Sequence, residues 1–147
     1  MYNAKAISTN GNFALGNAGL GEGTNANTIK TTAAVDYVIN NLVYTKAITD
    51  NIAVTANSVQ ADLTTCMYLV TIDAAGTVTT TKGTEQKTNS EQPLTWPTIP
   101  ANSAVLGAIK VVNSGGTFTA GSTDLGAATV TDTYYNFFTA PTSVFTA

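Results

Sequence analysis

Residues 66–73, Cys-Met-Tyr-Leu-Val-Thr-Ile-Asp, run into Ala74-Ala75-Gly76 and then into residues 77–82, Thr-Val-Thr-Thr-Thr-Lys. The first block is dense in β-branched and aromatic residues, which favour a pleated, packed surface. Ala74-Ala75-Gly76 has the form of a three-residue hairpin loop, in which the last position adopts the left-handed conformation that glycine accepts at little cost. The Thr-rich block that follows repeats the strand signal. This stretch predicts an antiparallel hairpin, and it sets the reading of the rest of the chain.

Upstream, Val35-Asp36-Tyr37-Val38-Ile39 and Leu42-Val43-Tyr44-Thr45-Lys46 flank Asn40-Asn41. Asparagine tolerates positive φ, so the pair suits a two-residue type I′ turn and predicts a second hairpin. A helix over residues 31–48 is the competing reading, and the β-branched and aromatic density disfavours it. Residues 52–56 form a short third strand candidate. Downstream, prolines at 93, 97 and 100 forbid a hydrogen-bonded ladder over residues 93–100, and Trp96 between them is expected to plug the core. Ala104-Val105-Leu106-Gly107-Ala108-Ile109-Lys110-Val111-Val112 reads as a strand buried on both faces. Asn113-Ser114-Gly115-Gly116 turns it into residues 117–119, Gly121-Ser122-Thr123-Asp124 turns again, and residues 129–138 form a last, aromatic-rich strand. About eight to ten short strands at regular spacing predict an all-β fold, an antiparallel β-sandwich or jelly-roll-like barrel.

Residues 1–28 read differently. Gly11, Gly16, Gly19, Gly21 and Gly23 alternate with Asn, Ala and Thr, and no apolar period persists. Such a segment buries too little to offset its ordering entropy alone. The expectation is an extended N-terminal arm over 1–28, either a frayed terminus or an arm that orders against a partner subunit with Phe13, Leu15 and Leu20 as apolar pegs, followed by one β domain over 29–147.

Composition excludes more chemistry than it selects. The 147 residues include 28 Thr, 21 Ala and 14 Asn, but no His and no Arg, and six Lys stand against nine acids for a net charge of -3. Without His the commonest general base and transition-metal ligand is missing, and a Ser/His/Asp triad is impossible. Without Arg the bidentate fork for phosphate and carboxylate is missing. An acidic chain with six Lys lacks the footprint of a nucleic-acid binder. Charged residues make up only 10% of the chain, so the surface is neutral and polar, as in proteins that either hide much of it in an assembly or live at low free concentration.

The single cysteine, Cys66, sits in an apolar run and reads as a small core residue rather than a reactive thiol. Gly19-Leu20-Gly21-Glu22-Gly23 lacks the rest of a dinucleotide fingerprint and precedes no Gly-Lys-Ser/Thr, so no phosphate cradle is expected. Asp36, Asp50, Asp62, Asp73, Asp124 and Asp132 are scattered and begin no calcium loop. Glu85 and Glu91 are the one close glutamate pair, and both read as solvated loop charges rather than an acid/base couple. The expectation is therefore a non-enzyme with no catalytic residue, cofactor or metal site. No signal-peptide pattern opens the sequence, no stretch reaches the length of a membrane helix, and no Asn starts a glycosylation sequon. Synthesis in a cytoplasm without a visible export signal, and no membrane partner, are the matching expectations.

Two segments resemble a known class. Residues 63–73 leading into Gly76-Thr77-Val78-Thr79 form one. Pro97-Thr98-Ile99-Pro100, the strand 104–111, and Phe118-Thr119-Ala120-Gly121-Ser122-Thr123-Asp124-Leu125 form the other. Together with the 37–44 hairpin and Thr49-Asp50-Asn51, they resemble small virion structural proteins of tailed bacteriophages, of the capsid decoration or cement type. The resemblance covers residues 29–138. It implies a structural protein on the outer capsid surface, made in the host bacterial cytoplasm. It also implies a homotrimer clamping neighbouring major capsid protein subunits, with an arm across the shell. The alternative is a receptor- or carbohydrate-binding adhesin of a head or tail fibre, reading a host-surface glycan through Trp96, Tyr134 and Tyr135.

Overall fold

The computed structural model describes residues 11–137. It is all-β, a sandwich of short strands, with every pairing antiparallel and no helix among the described residues. In chain order the strands are β1 (Phe13–Ala14), β2 (Leu20–Glu22), β3 (Thr28–Thr31), β4 (Val35–Ile39), β5 (Leu42–Lys46), β6 (Ile52–Ala53) and β7 (Val59–Gln60). Then come β8 (Thr64–Asp73), β9 (Val78–Lys82), β10 (Gln86–Lys87), β11 (Ser103–Asn113), β12 (Phe118–Thr119) and β13 (Val130–Asn136). The largest sheet runs β10-β8-β11-β13, with β9 sharing the β10 side of β8; the smaller sheets are β1-β4-β5, β2-β3-β6 and β12-β7.

Both expected hairpins form. In the first, Asn40 and Asn41 have φ of 50° and 65°, the type I′ signature, and Ile39 pairs with Leu42. In the second, Gly76 has φ of 78° and its amide donates to the Asp73 carbonyl at 3.0 Å. Strands β8 and β11 form the central pair, and their alternation divides the molecule. Cys66, Tyr68, Val70 and Ile72 of β8 face the main core with Ile109 and Val111 of β11, against Leu20, Ile29, Val35, Tyr37 and Ile39 from the small sheets. Each fully buried aliphatic of this kind contributes about 1.5–3 kcal/mol over its exposed state.

The register passes from Val105↔Thr71 to Gly107↔Val70, leaving Leu106 as the extra residue of a bulge. The bulge restores phase, so Ala104 and Leu106 before it and Ile109 and Val111 after it all reach the same core. Gly107 is required there, because a Cβ would lie 2.0 Å from the Tyr135 carbonyl oxygen.

Three expectations are corrected. Residues 11–28 are not an arm standing apart from a domain that starts at 29. Phe13 and Ala14 pair with β4, Leu20 and Gly21 pair with β3, and Ala14, Ala18 and Leu20 lie in the main core. The glycines supply close approach rather than looseness: a Cβ on Gly19 would meet the Thr32 hydroxyl at 2.1 Å. Residues 1–10 and 138–147, which hold the rest of the expected arm and the end of the expected last strand, lie outside the described residues.

Trp96 does not plug the main core. It joins a separate cluster on the opposite face of the central sheet, over Met67 and Ala108, with Leu94, Tyr135 and Phe137. The segment between Glu85 and Glu91, expected to be a solvated loop, contains strand β10, paired Gln86↔Thr65 and Lys87↔Thr64. Two-residue strands such as this one are defined by their partners, and no local period announces them.

Candidate functional site

Of the residues singled out for chemistry, Cys66 and Glu85 lie near one another, both beside Lys82. Cys66 is buried, and burial, opposed in part by the nearby Lys82 cation, pushes its thiol up to about 11. Burial raises Glu85 as well, but the Lys82 ammonium and the Ala61 amide more than offset it and hold the carboxyl below its usual range. Glu91 is exposed. Asp50 is also held low, first by the Thr24 hydroxyl, then by the Thr24 and Asn51 amides, in a staple between the 23–28 and 49–52 loops. Among the described residues no group of three or more Cys, Asp or Glu could hold a metal ion.

The aromatic residues expected of an adhesin divide between the two faces of the sheet. Tyr134 packs on the main core, its hydroxyl buried beside the Asp132 carboxylate without a well-aligned hydrogen bond to it. Burial foremost, and then Asp132, raise its pKa far above the ordinary phenol value. Tyr135 lies on the other face with Trp96 and Phe137, all half-buried, and the Trp96 and Phe137 rings meet edge to face at 5.3 Å.

A different feature, carried by no motif in the sequence, has the marks of a prepared surface. The segment 59–64 is held by an unusual density of side-chain hydrogen bonds. Gln60, fully buried, donates from Nε2 to the Thr64 and Val111 carbonyls at 3.0 and 3.1 Å and accepts from the Tyr68 hydroxyl at 3.1 Å. Buried Asn113 donates to the Ala61 and Gly116 carbonyls at 3.0 and 2.9 Å. Lys82 Nζ donates to the Val59 carbonyl at 2.7 Å and forms an ion pair with Glu85, whose other oxygen accepts the Ala61 amide at 3.0 Å.

This rigid segment presents apolar side chains outward. Val59 is 57% exposed and Leu63 59% exposed. Leu63 also has φ of 54°, and every other non-glycine residue at positive φ among the described residues is an asparagine. A left-handed leucine is strained, by about 1–2 kcal/mol, and gains nothing from burial here. The Thr88 amide fixes it by donating to the Leu63 carbonyl at 2.9 Å. Residues 61–64 and 87–89 line a half-open cleft of about 550 Å³ beside it, within the usual size range of binding sites. Strain held by surrounding structure at an exposed apolar position is a pattern found at binding surfaces.

The signal in the sequence was slight: Asp62-Leu63 directly precedes the apolar strand that starts at Thr64, with no residue that announces positive φ. The chain was compared with protein-family models, with curated proteins and with solved structures, and none of the three contains a match.

Proposed function

We propose that this chain is a structural virion protein that decorates and cements a tailed-phage capsid, seated as a trimer on neighbouring major capsid subunits. The observation that carries the reading is the stapled 59–64 segment, with Val59 and Leu63 held outward and Leu63 lining a half-open cleft. A surface fixed before binding loses little entropy when it docks. The resemblance of residues 29–138 to decoration proteins supplies the partner, and the low charge of the chain suits a protein that lives in an assembly. A contact of about 800 Å² per partner is ordinary for a specific interface, and repetition over a shell multiplies a modest affinity.

The test is binding of the purified protein to particles that lack it, read by co-sedimentation and by cryo-electron microscopy. The native chain should give added density at three-fold or pseudo-three-fold positions, and Leu63→Asp should reduce occupancy at least tenfold while leaving the fold intact. Equal binding by Leu63→Asp, or density confined to fibre tips, overturns the proposal.

A second reading, a glycan-binding adhesin, rests on the half-exposed Trp96, Tyr135 and Phe137 cluster. It predicts that host-surface glycans quench Trp96 fluorescence saturably and that Tyr135→Ala abolishes the effect.

A further inference from the structure

Strand β5 is the outer edge of its sheet, paired on one side only, with β4. The two-residue turn fixes which backbone groups are spent. Ile39↔Leu42 is the hydrogen-bonded pair next to the turn, so by alternation Tyr44 and Lys46 also point their N–H and C=O groups at β4. The groups of Val43 and Thr45 then point away from it. The other side of β4 agrees, since the Asp36 carbonyl, opposite Thr45, accepts from the Leu15 amide on the β1 side at 2.7 Å. Val43 and Thr45 amides have no partner among the described residues.

The usual protections of an edge are missing. Proteins blunt exposed edges with proline, bulges or free charge. β5 contains no proline or bulge, and Leu42 and Val43 are 61% and 65% exposed. Its one charge, Lys46, is turned inward, donating to the Gly76 carbonyl at 2.9 Å. The neighbouring Asp36 carboxylate accepts the Thr45 hydroxyl at 2.6 Å.

We infer that β5 is a two-fold contact, pairing antiparallel with β5 of a second copy of this chain about an axis through Tyr44. The edge is self-complementary about that residue. Val43 opposite the second Thr45, and Thr45 opposite the second Val43, exchange four backbone hydrogen bonds and use every outward group of both strands. The sheet becomes six strands, with Val43 shielded by the second copy and Leu42 opposite Lys46, so no like charges meet.

Size sets the strength. A five-residue edge is about 17 Å long and the sheet about 10 Å thick, giving about 170 Å² of contact, far below the roughly 800 Å² per partner of a stable complex. The dimer is therefore weak in solution and becomes significant where copies are crowded. Within the proposed capsid role, a two-fold contact of this kind joins neighbouring trimers rather than building them. The solution test below does not depend on that role.

Sedimentation velocity of the full chain, from about 10 µM to about 1 mM, should show a concentration-dependent shift toward a larger species. Val43→Lys, which restores an edge charge, and Thr45→Pro, which deletes an outward N–H, should each abolish that shift. The oxidised Tyr44→Cys variant should form a covalent dimer, because residue 44 faces its own copy, while Val43→Cys should not, because its copy lies about 7 Å away across the register. A sedimentation coefficient independent of concentration overturns the inference. So does self-association that survives both Val43→Lys and Thr45→Pro, or cross-linking through Val43→Cys and not through Tyr44→Cys. Protection of the Val43 and Thr45 amides from hydrogen exchange at the lowest concentration would mean that the same chain covers the edge, and would also overturn it.

Discussion

Gln60→Leu keeps nearly the same side-chain volume and removes the buried amide that ties the 59–64 segment to β8 and β11. In the native chain the amide nitrogen serves two carbonyls, those of Thr64 and Val111, and the amide oxygen receives the Tyr68 hydroxyl. The residue is fully buried, so water cannot replace these partners. Stranding the Tyr68 hydroxyl costs about 1–3 kcal/mol, and each carbonyl, with a second lone pair still available, about 0.5 kcal/mol. The extra apolar burial of leucine returns part of this, so the net loss is about 2–3 kcal/mol. At this chain length that is a fall in Tm of about 4–12 °C.

Urea unfolding followed by Trp96 fluorescence measures it, and a cycle with Tyr68→Phe isolates the shared bond. Tyr68→Phe alone strands the amide oxygen, whereas in the double variant neither partner is left behind. The two changes should therefore be non-additive by about 1 kcal/mol or more. Additive losses, or a Gln60→Leu protein as stable as the native one, would refute the view that this network fixes the segment.

Leu63→Gly should be more stable than Leu63→Ala by about 1 kcal/mol in the same assay, reversing the order of ordinary exposed positions, because only glycine relieves the positive φ. Gly107→Ala should lower stability by more than about 3 kcal/mol, or prevent folding, since the new Cβ would overlap the Tyr135 carbonyl of the adjoining strand.

Stability should fall as pH rises above about 9. The unfolded chain then releases the Cys66 proton that the folded chain keeps, its thiol being pushed up to about 11, and Tyr68 and Tyr134, raised mainly by burial, add to the fall above pH 10. Cys66→Ala should flatten the first part of that decline, by about 2 kcal/mol between pH 9 and 11 in pH-dependent urea titrations. On the acid side, stability should fall through pH 4.5 and below as the unfolded chain takes up protons that Glu85 resists; Glu85→Gln should make that limb shallower.

The strands that alternate or run apolar over five or more residues were legible, because their burial writes a period into the chain. β4, β5, β8, β9, β11 and β13 all follow such patterns, and Asn40-Asn41 and Gly76 identify their turns through φ alone. The small strands were legible only in part: Ile52–Ala53 falls within the expected strand 52–56, and Phe118–Thr119 within the expected return 117–119. Phe13–Ala14 and Gln86–Lys87 acquire their conformation from distant partners, at Val38 and Thr65 respectively. The glycines of residues 11–28 read as freedom, whereas at Gly19 they permit the tight approach to Thr32 that puts Leu20 in the core. The prolines around Trp96 exclude a long ladder, but nothing local says which face of the sheet the resulting segment covers, and it covers the one opposite the main core. The left-handed Leu63 had no local signal at all, since its conformation is imposed by the bonds on either side of it.

The connectivity of the sheets also bears on how the chain emerges from a ribosome. The Leu20 amide donates to the Asn136 side chain at 2.8 Å, and β11, the long strand paired with β8, begins 30 residues after β8 ends. A nascent chain therefore carries the apolar strand 64–73 without its main partner until β11 has been synthesised, and its N-terminal strands wait almost to residue 136 for their last contact. Synthesis at about 5–20 residues per second leaves that strand uncovered for seconds. Slow elongation prolongs the exposure and holdase chaperones shorten its consequences, so soluble yield should depend more on the pace of translation than on the stability of the finished fold.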